Sequence, residues 1–137
     1  MMASQSPLPA LYAGFGCRRG CPVEVLDELL HQALYSHGLT LAALRGIASI
    51  TSKADEPGLQ QLAERHNLPL LVFDASQLQA YEPQLSHRSA VAFAHSGCWG
   101  VAESAALALA HHERGNAALV VTRQTLGAAT LALACGG

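Results

Sequence analysis

The sequence predicts an α/β protein: a three-layer α/β/α sandwich on a mixed, mostly parallel sheet of about five strands. Two observations predict it. Short apolar runs alternate with stretches of helical period along most of the chain. Half of the 137 residues are hydrophobic while only 13% are charged, a balance that suits a sheet covered on both faces.

Residues 1–9 are polar and broken by prolines, and read as a loose tail before a single domain over residues 10–137. Leu11 to Phe15 is a short apolar strand running into Gly14 and Gly16. Pro22 then suits a first helical turn, and Val25, Leu26, Leu29, Leu30, Ala33 and Leu34 form an apolar stripe ended by Gly38. Leu44 to Thr51 is the second strand. Glu56 and Pro57 open a helix that closes near Asn67, and Pro69 separates it from a buried strand over Leu70 to Phe73. Ser76 and Gln79 fit a capping box for a short helix reaching Tyr81. Within 82–96, the alternation over Ala90 to Ala94 suggests a strand. Gly100 opens an apolar helix over Val101 to His111. Ala118 to Val121 and Thr130 to Ala134 are strands joined by a turn at Gly127, and should pair antiparallel.

The net charge of −2 recruits neither nucleic acid nor an acidic membrane, and no apolar run is long enough to cross a bilayer. The start shows no signal-peptide pattern, and the spacing of Cys17, Cys21, Cys98 and Cys135 requires no disulfide, so the expected location is the cytoplasm. Seven of the eight basic residues are arginines, whose planar fork suits carboxylates and phosphates.

The first chemical signal is Gly14-Phe15-Gly16-Cys17-Arg18-Arg19-Gly20, between a strand and a helix. Glycines there would let an anion approach bare N–H groups at a helix start, with Arg18 and Arg19 adding charged bonds. The plainer alternative is a turn with two solvated arginines. No dinucleotide fingerprint is present: Arg19 stands at the third glycine position, and Ser49-Ile50-Thr51 ends the second strand without an acidic residue. No Gly-Lys-Ser/Thr follows either, so no P-loop is expected.

The second signal, Ser49 to Gly58, falls at the same carboxyl edge of a parallel sheet. It holds Lys53, the chain's one lysine, with Asp55 and Glu56 as acid/base candidates or, more simply, helix caps. The third places Glu103 where a helix's third residue reaches back to a free N–H, with catalysis as the alternative. Cys17, close to a helix start and two arginines, would have a lowered pKa and offer a thiolate, although no histidine base is near in sequence. Cys17/Cys21 and His111/His112 lack metal-ligand spacing, so neither a metal nor a cofactor is expected.

In order and spacing, residues 14–20, 49–58 and 101–106 resemble the CobE/CbiG family of cobalamin biosynthesis, over about Leu11 to Ala134. Gly100 stands where many relatives carry Ser or Thr, so that helix start lacks a side-chain cap. The resemblance implies a role in the aerobic corrin-ring route, as for the free-standing CobE form. CbiG proteins are longer, act in the anaerobic route and open a lactone on a cobalt-precorrin with release of acetaldehyde. That activity does not carry over to a match with their C-terminal domain alone.

A precorrin or corrinoid intermediate, with carboxylates around an apolar macrocycle, is then the expected ligand, and other enzymes of the route are candidate partners. The implied binding set is Gly14, Gly16, Cys17, Arg18, Arg19, Gly20, Ser49, Lys53, Asp55, Glu56, Glu103 and Arg123. A binding protein without autonomous catalysis is expected first. A precorrin-processing hydrolase or rearrangement enzyme using Glu56, Glu103 or Cys17 is the alternative, and a phosphate-ester binding domain a further one.

Overall fold

The computed structural model describes residues 10–137, so the tail over residues 1–9 lies outside the described residues. Strand β1 (Ala10–Cys17) is followed by helix α1 (Val23–Ser36), β2 (Leu44–Ile50), α2 (Pro57–Arg65) and β3 (Leu70–Phe73). Then come α3 (Ala75–Gln79), α4 (Ala90–Ser96), α5 (Val101–Arg114), β4 (Ala118–Leu126) and β5 (Ala129–Gly136).

The five strands form one sheet in the order β3-β2-β1-β5-β4. β1, β2 and β3 pair in parallel, and β5 runs antiparallel to both β1 and β4. β4 therefore points the same way as the first three strands, and their carboxyl ends share an edge. The β4–β5 connection at Gly127 returns to that edge: Cys17 pairs with Ala129, and Arg18 donates its N–H to Ala128 O at 3.0 Å.

Alternation along the strands builds a core on each face. Leu11, Phe15, Ile47, Leu131 and Leu133 pack under Leu26, Leu29 and Leu30 of α1 and Leu59 and Leu62 of α2. Tyr12, Ala48, Ile50, Ala132 and Ala134 face Ala102, Ala105, Ala106 and Leu109 of α5. The second interface is made largely of alanine, so helix and sheet backbones come close.

Gly14 sits at the closest point. A Cβ there would lie 2.0 Å from Ala102 O and 2.4 Å from Ala106 N. Gly14 and Gly16 are thus strand residues paired with Ala132 and Thr130, not parts of a loop. Gly14→Ala forces α5 off the sheet, and we expect a loss of about 1–3 kcal/mol in chemical denaturation, as for an overpacked core. An unchanged midpoint would mean the helix is not seated as described.

Two local expectations are corrected. The capping box is Asp74 with Gln77, not Ser76 with Gln79, because β3 ends at Phe73 and the chain turns into α3 at once. Residues 90–94 are helical: Ser89 Oγ accepts from Ala92 N at 3.1 Å, and Gly97 ends α4 with φ of 75°. The Ala-Val-Ala-Phe-Ala alternation imitates a strand, but a cap at each end fixes one short helix.

Candidate functional site

At the shared edge, the ends of β1, β2 and β4 meet the start of α5 and the α4 helix around a cleft of about 900 Å³. Four cationic residues line it: Arg18 and Arg19 after β1, Lys53 after β2 and Arg123 in β4. Its lining also includes the apolar side chains of Val91, Ala92, Trp99 and Val101, from α4 through the start of α5. Phe93 stacks on Trp99 with ring centroids 4.5 Å apart, which fixes the indole against α4.

Glu56 lies at this edge with 6% exposure. It occupies the N-cap position of α2 but does not cap that helix. Its carboxylate instead accepts from Gly20 N at 2.9 Å, and Lys53 Nζ stands 4.0 Å away. The loop after β1 therefore already holds an anion belonging to the protein. Arg18 N and Cys21 N are also used internally, on Ala128 O and Arg18 O. What this loop offers a ligand is therefore chiefly its arginine side chains, not these three N–H groups. Among the described residues, no ion pair or hydrogen bond engages the guanidinium groups of Arg18, Arg19 or Arg123.

Glu103, 1% exposed, is not a helix cap either. Its carboxylate accepts from Ser86 N at 2.8 Å, His87 N at 3.4 Å, Arg123 N at 2.9 Å and the Ser86 hydroxyl. Burial raises its pKa, but the bonds from Ser86, Arg123 and His87 outweigh burial and hold it below the usual carboxylate value. The bond to Arg123 N falls where the β4–β5 register slips between Val121 and Gln124. Glu103 thus ties the 86–87 segment and the irregular stretch of β4 to α5, and so positions Arg123 at the cleft.

Cys17 lines the cleft, but burial pushes its thiol up to about 11, against the lowering effect of Lys53. The expected lowering is corrected: loss of solvent outweighs the nearby cation, and the thiol stays protonated. Gly16 also lines the cleft, with Thr130 Oγ1 donating to its carbonyl at 3.2 Å. Gly14, Gly20, Ser49 and Asp55 do not line it. Ser49 is buried and donates to Phe15 O at 2.7 Å, a tie between β2 and β1, while Asp55 is exposed. Sequence reasoning missed the α4 wall, whose signal was the pair of caps at Ser89 and Gly97.

Residues 11–134 match the family described as Cobalamin synthesis G C-terminus. The chain belongs to this family. It is 38% identical over 124 residues to Protein CobE of Sinorhizobium sp, covering 90% of this chain and 79% of that protein. Over 70 residues it is 43% identical to the cobalt-precorrin-5A hydrolase of Salmonella typhimurium, a match spanning 51% of this chain but only 20% of the hydrolase. The crystal structure of CobE, a protein from the cobalamin (vitamin B12) biosynthetic pathway, superposes with a TM-score of 0.88 at 46% identity, covering 97% of this chain and 96% of that one. The present chain is accordingly a cobalamin synthesis G C-terminus protein related to CobE and to part of the hydrolase, with the same α/β fold as CobE.

Proposed function

We propose that this chain binds a polycarboxylate corrinoid or precorrin intermediate of cobalamin biosynthesis in the edge cleft, without catalysing a step alone. One observation carries the reading: Arg18, Arg19, Lys53 and Arg123 share a cleft with the apolar side chains of Val91, Trp99 and Val101. A ligand with an apolar macrocycle and peripheral carboxylates matches that division. The ring lies against α4 and Trp99, and the carboxylates meet the guanidinium forks.

The chemistry of the lining supports binding over reaction. Cys17 holds its proton, both oxygens of Glu103 are occupied, and no histidine lines the cleft among the described residues. A phosphate ester would want the loop N–H groups, and those of Arg18, Gly20 and Cys21 are already taken by Glu56 and main-chain carbonyls. The likeness to CobE over most of the chain supports the aerobic corrin-ring route. We assign the protein to the cytoplasm, where a reducing medium suits four free cysteines. No helix among the described residues is long and apolar enough to cross a membrane.

Trp99 is the chain's single tryptophan and reports on the cleft directly. A corrinoid with free peripheral carboxylates should quench its fluorescence saturably, and more weakly as salt rises. A fully amidated corrinoid should bind much less well. Equal binding of the two, or no quenching by either, would overturn the reading.

A further inference from the structure

We propose that Asp27, His31 and His66 form a binding site for a divalent transition metal of the zinc type, between α1 and the end of α2. The ligand atoms of the three side chains lie within 4.8 Å of one another. His31 Nε2 is 3.2 Å and His66 Nε2 2.7 Å from the same oxygen, Asp27 Oδ1. None of the three lines the cleft, so the site stands apart from the corrinoid reading.

The fold explains the convergence. Asp27 and His31 are one turn apart on one face of α1. His66 is the C-cap of α2, where the last carbonyls carry partial negative charge that favours a cation. Arg65 Nη1 takes the other carboxylate oxygen, Asp27 Oδ2, at 3.1 Å and leaves Oδ1 to the imidazoles. Its positive charge is offset by Glu24, 3.7 Å from Nη2. With neutral imidazoles the cluster keeps a net negative charge.

Hydrogen bonding alone explains the arrangement less well. His66 makes the hydrogen bond to Asp27 Oδ1, whereas His31, 54% exposed, stands 3.2 Å from that oxygen as an ion-pair contact and gains little burial there. A metal instead takes a lone pair from each Nε2 and one from Oδ1. The ring centroids are 5.8 Å apart at 64°, so the two rings meet edge to face. Bonds of about 2.0–2.1 Å set tetrahedral ligand atoms roughly 3.3–3.4 Å apart, so His31 Nε2, 3.2 Å from Asp27 Oδ1, already stands near that spacing, and His66 Nε2, at 2.7 Å, must move away from the same oxygen. Two imidazoles and one carboxylate select Zn²⁺ and its neighbours in the first transition row over Mg²⁺ or Ca²⁺, which want oxygen shells. Three protein ligands leave a position for water or an outside ligand.

The test uses the full chain stripped with a chelator. Calorimetry should show one Zn²⁺ per chain, and Co²⁺ should give visible d–d bands that Zn²⁺ bleaches. His31→Ala, at an exposed position that leaves the fold intact, should weaken Zn²⁺ binding about a hundredfold or more, as should His66→Ala. The double variant His111→Ala, His112→Ala should bind as wild type does. Absence of stoichiometric uptake, or undiminished binding in folded His31→Ala, would overturn the proposal.

Discussion

The double variant Arg18→Ala, Arg19→Ala is expected to bind a carboxylate-bearing corrinoid about a hundredfold more weakly than wild type while remaining folded. Both side chains are exposed, line the cleft and engage no group among the described residues. Removing them leaves no buried partner unsatisfied, so their stability cost is small. What is lost is two charge-assisted bonds to the ligand, each worth about 1.5 kcal/mol at the lower end of the usual range, or roughly tenfold in affinity. Replacement by lysine should recover only part of the loss, because an ammonium lacks the two-pronged geometry. Titration followed by Trp99 quenching and by the visible spectrum of the corrinoid measures both effects. Wild-type affinity in the double variant would move the site away from the loop after β1.

Glu103→Ala should be among the most destabilising single changes in the chain, by about 3–5 kcal/mol in chemical denaturation. It strands three backbone N–H groups and one hydroxyl that converge on a buried carboxylate. Glu103→Gln keeps the shape but turns an NH₂ toward donors, and should cost less. The pH dependence has a defined sign. The folded pKa of Glu103 lies below its unfolded value, so its stabilisation is full above the unfolded pKa, about 4.3, and fades as pH falls through the folded pKa. Glu103→Gln should therefore flatten the acid limb of the stability profile. Asp27 keeps part of that limb: burial raises its carboxyl, but bonds from His66 and Arg65 and the charge of His31 hold it below the usual range. An acid limb as steep as wild type in Glu103→Gln would refute the role given to the carboxylate. Because Glu103 holds Arg123 N, ligand affinity should also fall in any Glu103 variant that still folds.

The sequence by itself determined the strand–helix order outside residues 90–94, the parallel start of the sheet, the closing hairpin and the edge that carries Arg18 and Lys53. Those features follow from hydrophobic period, proline and glycine placement and the handed connections of parallel strands, all local or nearly so. The family was equally legible, because motif order along a chain needs no fold. What only the tertiary structure decided are contacts between residues distant in sequence. Glu56 and Glu103 look like caps from their neighbours in the chain, yet each turns to donors 16 to 36 residues away. Gly14 suggests a flexible loop, and is in fact required by a helix that begins 87 residues later at Val101. Asp27 and His31 share a helix face in any reading, but His66 joins them only because α2 packs beside α1. Period and propensity report on a residue's own element. Burial, and the partner that a buried charge must find, are set by whatever element the fold places opposite.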